Sequence, residues 1–253
     1  MNNKKRSSLD FTLKFIIFCL IFALVSAFVT VLSVKLLGKD KNTETADTAA
    51  SREVRTVIID AGHGGEDGGA VGVNGCFEKE INLNVSKMLE EMLCAFRINV
   101  IMTRTEDILL YDRNADYMGH KKSLDLKARL AVANENPDAI FVSIHMNTFP
   151  QEKYNGLQVY YSKNNPQSKL LANGIRDSVR EYLQPENKRE TKAADSSIYL
   201  LDRAPSTAVL VECGFLSNNE ECNKLSSEDY QKQLAFTLLI SIINYFDTQN
   251  KML

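Results

Sequence analysis

Apolar and polar positions change rhythm several times along the chain, and each change marks an element. Residues 15–34 are apolar, softened only by Ser26, Thr30 and Ser33. A run of about 20 such residues matches what a helix needs to cross a bilayer. Lys4, Lys5, Arg6 and Lys14 precede it, and Lys35 and Lys39 follow. A secretory signal would have an apolar core of about 7–15 residues and a small-residue cleavage site. The pattern therefore predicts an uncleaved transmembrane anchor over 15–37. The positive-inside rule places residues 1–14 in the cytoplasm and the rest of the chain outside it. Residues 38–53 are small and polar without a period, and read as a tether.

From residue 54 onward, short apolar runs alternate with longer stretches of helical spacing. The runs at 54–60, 98–103, 139–144, 157–161, 198–201 and 208–211 are mostly β-branched or aromatic and predict strands. Between 80 and 96, Ile81, Val85, Met88, Leu89, Met92, Leu93 and Phe96 recur at helical spacing. Stretches 123–136, 167–183 and 228–246 behave alike. Such alternation predicts an α/β fold. It is a single domain over 54–253, with a mostly parallel central sheet of about six strands flanked by helices, preceded by one N-terminal transmembrane helix. The polar segment 105–122 breaks the rhythm and reads as a loop able to border a cleft.

Composition adds exclusions. The 253 residues carry a net charge of −2 with a pI near 6.0, so no basic footprint for nucleic acid is present. Five cysteines include Cys19 in the anchor and Cys76, Cys94, Cys213 and Cys222 beyond it, without a CxxC pair, which argues against a zinc ribbon. An extracytoplasmic setting permits disulfides, but no spacing here demands one.

The chemistry is concentrated at strand ends. His63 sits in the loop Asp60-Ala-Gly-His-Gly-Gly-Glu-Asp-Gly-Gly-Ala70, His145 follows the run at 139–144, and Glu212 follows that at 208–211. Ligands of open α/β sheets bind outside the carboxyl ends of the strands, so these side chains can converge. A metal is the natural tenant. Glu78, at the handover from the glycine loop to a helix, is the best third ligand, with Glu66, Asp67 and Cys76 as rivals that spacing does not eliminate. Two histidines and a carboxylate suit a hydrolytic zinc and also some non-haem iron centres.

Glycines at 62, 64, 65, 68 and 69 allow the loop to turn tightly. No Gly-Lys-Ser/Thr ending or Gly-x-Gly-x-x-Gly spacing supports nucleotide binding. Asp60 either backs a ligating imidazole or caps the loop. Glu212 either shuttles protons or is a structural partner of Arg104 or Arg129. His120, the only other histidine, lies in the polar segment and reads as a solvated loop residue.

Taken together, Asp60-Ala-Gly-His-Gly-Gly, Glu78-Lys79, Arg129 with Ala133-Asn134, Ser143-Ile-His-Met-Asn147 and Val211-Glu-Cys-Gly-Phe-Leu-Ser-Asn218 resemble the zinc-dependent N-acetylmuramoyl-L-alanine amidases that cut bacterial peptidoglycan. The resemblance implies Zn2+ held by His63, Glu78 and His145, with Glu212 as the catalytic proton carrier. The bond cut would join the lactyl group of N-acetylmuramic acid to L-alanine. Segment 105–122 is longer than in the family, and no wall-binding repeat is present. An anchor plus one catalytic domain resembles the spore-cortex amidases, which remove stem peptides so that muramic lactam can form. The implied partners are peptidoglycan, the membrane through the N-terminal helix, and an activator protein such as some members require. A zinc peptidase cleaving within the stem, a vegetative autolysin of the same family and a non-enzymatic wall-binding module are the alternatives.

Overall fold

The computed structural model describes residues 55–111 and 119–252. The predicted anchor and tether, and residues 112–118 of the polar segment, lie outside the described residues. Among the described residues no helix is long and apolar enough to cross a membrane.

Six strands form one sheet: β1 (Thr56–Ala61), β2 (Asn99–Met102), β3 (Ile140–Asn147), β4 (Gln158–Tyr161), β5 (Lys192–Ala193) and β6 (Ala208–Phe215). Their spatial order is β2-β1-β3-β6-β4-β5. The ladders β2/β1, β1/β3 and β3/β6 are parallel, whereas β4 runs antiparallel to β6 and parallel to β5. The helices are α1 (Glu78–Ala95), α2 (Lys121–Glu135), α3 (Gln167–Tyr182), α4 (Tyr199–Arg203), α5 (Asn219–Leu225) and α6 (Glu228–Met252).

Burial on both faces explains why the central strands read as continuous apolar runs rather than alternating ones. Val57, Ile59, Val142, Ile144, Val209 and Val211 meet Val85 and Leu89 of α1, Leu171 and Ile175 of α3, and Leu238 and Ile242 of α6. On the opposite face Ile58, Phe141 and Leu210 meet Ala133 of α2 and Leu200, Leu201 and Ala204 around α4. Each such side chain, fully buried, contributes about 1.5–3 kcal/mol through removal from water.

Two predictions need correction. The run at 198–201 is not a strand but lies at the start of α4. The Asp195 carboxylate accepts bonds from the backbone N–H and the hydroxyl of Ser197, turning the chain. Leu200, Leu201 and Ala204 are then buried at helical offsets. The fifth strand is instead the two-residue, exposed β5, too short to show any period. In addition, β3 and β6 continue past their apolar runs, so His145 and Glu212 stand within strands rather than after them. The ladder carries on where the hydrophobic signal stops.

Candidate metal centre and its cleft

The glycine loop leaves β1 and folds back onto the N-terminus of α1. The Glu78 N–H donates to the Ala70 carbonyl at 2.9 Å, and the Lys79 N–H to that of Gly68 at 3.2 Å. Lys79 Nζ donates to the Gly65 carbonyl at 2.8 Å and to Asp107 Oδ2 at 2.7 Å. Glu78 is thus the first residue of α1, and only 3% exposed. Its Oε2 accepts the Ala70 N–H at 2.8 Å and its Oε1 the Met146 N–H at 3.0 Å. Both oxygens are therefore fixed before any ligand arrives.

His63 Nε2 lies 3.2 Å from Glu78 Oε2, and His145 Nδ1 lies 3.0 Å from Glu78 Oε1. Donor atoms of all three residues fall within 4.8 Å of one another, and this is the only group among the described residues able to hold a metal in this way. Donors about 2.0–2.2 Å from a tetrahedral zinc are separated by about 3.3 Å, so spacings of 3.2 and 3.0 Å suit that ion. Two glycines make the approach possible. A Cβ on Gly62 would stand 2.3 Å from the His145 ring, and one on Gly69 would stand 2.5 Å from Glu78 Oε2. His63 itself takes a left-handed φ of 60°, sparsely populated for a non-glycine residue.

Electrostatics match the geometry. Burial disfavours charge on His63, but bonds to Asp67 and Glu78 outweigh it and raise its pKa to about 9. Burial likewise opposes ionisation of Glu78, yet the two imidazoles hold its carboxyl well below the usual range. The other nitrogen of His63, Nδ1, stands 2.9 Å from Asp67 Oδ2, the outer partner expected of a ligating imidazole. Asp67, a rival ligand by its spacing, takes its place behind the histidine. Glu66 faces outward and pairs with Lys121 at 2.7 Å. Cys76 packs against Cys222, and His120 is exposed ahead of α2.

Asp60 touches neither imidazole. It accepts bonds from Arg129 Nη1 at 2.6 Å, Ser143 Oγ at 2.6 Å and Thr103 Oγ1 at 2.8 Å. Arg129 also donates to the carbonyls of Ala61 and His63, both at 2.7 Å, and through Nε to Asp125 at 2.7 Å. Arg104 wraps the same bend, donating to the carbonyls of Ala61, Gly62 and Lys79. Two buried guanidiniums therefore hold the backbone that presents His63. The sequence pointed to neither role, although Asp125 and Arg129 stand at helical i,i+4 spacing.

Glu212 pairs in register with His145 across β3 and β6. Neither Arg104 nor Arg129 reaches it: its Oε2 is sealed from solvent and has no hydrogen-bond partner among the described residues. Burial lifts its carboxyl to about 7; His145 pulls it down, Glu78 pushes it up and His63 pulls it down. A carboxyl with one oxygen unpartnered and that affinity for a proton suits general acid–base work near neutrality. The cleft lined by His63, His145 and Glu212 has a volume of about 240 Å3, and Leu126, Ile198 and Tyr199 also line it. A larger hollow of about 360 Å3 opens beside Gly156, Gln184 and Tyr230, but no set of metal donors converges there.

Known proteins resemble this chain in sequence and in fold. Residues 57–244 match the sequence profile of the N-acetylmuramoyl-L-alanine amidase family. A germination-specific N-acetylmuramoyl-L-alanine amidase of Bacillus subtilis is 31% identical over 192 residues, covering 76% of this chain and 80% of that protein. Among solved structures, the CwlD amidase of Clostridioides difficile, determined in complex with the GerS lipoprotein, superposes with a TM-score of 0.72 at 38% identity, covering 77% of this chain and 99% of that one. The catalytic domain of the amidase CwlV from Paenibacillus polymyxa gives 0.63 at 31% identity, over 76% and 98% of the two chains.

Proposed function

The chain belongs to the N-acetylmuramoyl-L-alanine amidase family, and from that premise we propose that His63, Glu78 and His145 hold a zinc ion beside Glu212, which carries protons for the reaction. The protein is a hydrolase of peptidoglycan. It cleaves the amide between the lactyl group of N-acetylmuramic acid and the L-alanine that begins the stem peptide. The observation that carries the assignment of roles is the convergence of three donors within 4.8 Å beside Glu212, whose buried Oε2 has no hydrogen-bond partner.

When bound, zinc supplies Lewis-acid polarisation and eases the deprotonation of water. The chain does the rest. Glu78 and His145 are positioned by backbone N–H donors and by strand pairing, so the donor set is preorganised. Glu212 takes the proton of the attacking water as the new C–O bond forms. It returns that proton to the alanine nitrogen as the C–N bond breaks, leaving a free lactyl carboxylate and a free amine. Leu126, Ile198 and Tyr199 give the substrate an apolar wall and restrict bulk water.

The wider setting is also a proposal. A role in the spore cortex is supported by likeness to the germination-specific amidase and to CwlD. An activator, a lipoprotein by analogy with the CwlD complex, fits the same likeness. The apolar run at 15–34 supports a single-pass anchor in the cytoplasmic membrane with the catalytic domain outside.

Mass analysis of muropeptides digested by the zinc-loaded full chain, with a lipoprotein activator added, tests the reading. Muramic acid with a free lactyl carboxylate and stem peptides with free L-alanine amino termini are expected. Scission within the stem would make the protein a peptidase, and intact muropeptides would overturn the activity.

A further inference from the structure

The segment leading into Glu78 is a small hairpin: Val71 bridges to Phe77, and the Gly72 N–H donates to the Cys76 carbonyl at 2.8 Å. It is docked on the chain just beyond β6. The Val73 N–H donates to the Leu216 carbonyl at 3.0 Å, and Asn74 Nδ2 donates to Ser226 Oγ at 3.0 Å. At this seam Cys76 Sγ stands 3.8 Å from Cys222 Sγ. Both sulfurs sit over the α-carbon of Gly72, where a Cβ would come within 2.6 and 2.7 Å of them.

We propose that Cys76 and Cys222 are a disulfide-forming pair, a covalent staple between the hairpin that ends in Glu78 and the helix next after the Glu212 strand. A disulfide holds its sulfurs about 2.05 Å apart, so closure needs them to approach by about 2 Å. The surrounding bonds already fix both backbones. Oxidation proceeds by exchange: one thiolate attacks an external disulfide, giving a mixed disulfide and one free thiol, and the second thiolate displaces the other. Two protein thiols are oxidised and one small-molecule disulfide is reduced to two thiols, with protons conserved. The other described cysteines offer no such partner: Cys94 is exposed on α1, and Cys213 is buried, directed to the Val211 carbonyl at 3.6 Å.

The residues joined are 146 positions apart, and cross-links that close long loops restrict the unfolded chain most. Use of the staple in the cell rests on the extracytoplasmic placement proposed above, whereas its formation in a test tube does not, so the two ideas fail separately.

The test equilibrates the purified full chain in glutathione buffers of rising oxidised-to-reduced ratio, alkylates the remaining thiols and maps linked peptides by mass. A peptide pair joining Cys76 to Cys222 is expected, with Cys94 still alkylated. The melting temperature should rise by roughly 5–10 °C and fall back on reduction. Cys76→Ala, at a half-buried position, should abolish both the linked peptide and the shift, and Cys94→Ala neither. Thiols that both stay alkylatable at the most oxidising ratio would overturn the proposal. So would links through Cys19 or Cys94 alone, or a Cys76–Cys222 link that leaves the melting temperature unchanged.

Discussion

Glu212 differs from the other carboxylates of the cleft in having an oxygen, Oε2, sealed from solvent without a hydrogen-bond partner, which suits the proposed proton transfer. Replacing it by Gln keeps its volume and removes its titration. Turnover is expected to fall by about 10²–10⁴-fold, while bound zinc, measured by elemental analysis, stays at the wild-type level. More than a tenth of wild-type activity in the variant would rule the role out. Gly62 gives a complementary test: in Gly62→Ala the new Cβ collides with the His145 ring. Zinc affinity, read by competition with a chromophoric chelator, should weaken by about 10–100-fold with an unchanged circular dichroism spectrum. His63, His145 and Glu212 were legible because polar residues interrupting or ending apolar runs are rare. The choice of Glu78 over Asp67 was not legible from spacing. Both are carboxylates close to His63 in sequence, and only the folding of the loop onto α1 puts one on each nitrogen of the imidazole.

At the level of elements, the join of β1 to α2 depends on Asp60 and Arg129, both almost completely buried. Burial opposes the charge on Asp60, but Arg129 and Ser143 outweigh it and hold the carboxyl below its ordinary 3.8. A depressed pKa means that the unfolded chain takes up protons first. The pair's stabilisation is therefore complete above about pH 4 and is lost as pH falls through the lower folded value. Asp60→Asn leaves Asp125 as the only carboxylate bonded to Arg129, and is expected to cost about 3 kcal/mol at pH 7. Urea midpoints followed from pH 7 toward pH 2 should show the difference from wild type shrinking; a constant difference would refute the argument. The sequence marked five of the six strands, β2 and β4 over their whole length and β1, β3 and β6 in part. Continuous apolar runs in β1, β3 and β6 come from burial on both faces, and any reader of hydrophobicity finds them. The run at 198–201 has the same composition but comes after the Asp195–Ser197 turn, and local hydrogen bonding decides for helix.

For the whole molecule, one catalytic domain behind an apolar run predicts a simple partition. The full chain should pellet with membranes and resist a carbonate wash, whereas a chain lacking residues 1–53 should stay in the supernatant and keep its zinc. Equal partition of both would remove the anchor. The anchor is expected from length and uniform apolarity, which are what a bilayer asks for, whereas the reversed direction of β4 had no signal in its own residues. The in-register pairing of His145 with Glu212 has a consequence for divergence among related enzymes. Neighbouring strands are held about 4.8 Å apart by the backbone itself, so the sheet serves as a ruler between the proposed metal ligand and the proposed proton carrier. Loops around the cleft can change in length and composition while the distance across the sheet beneath them stays the same.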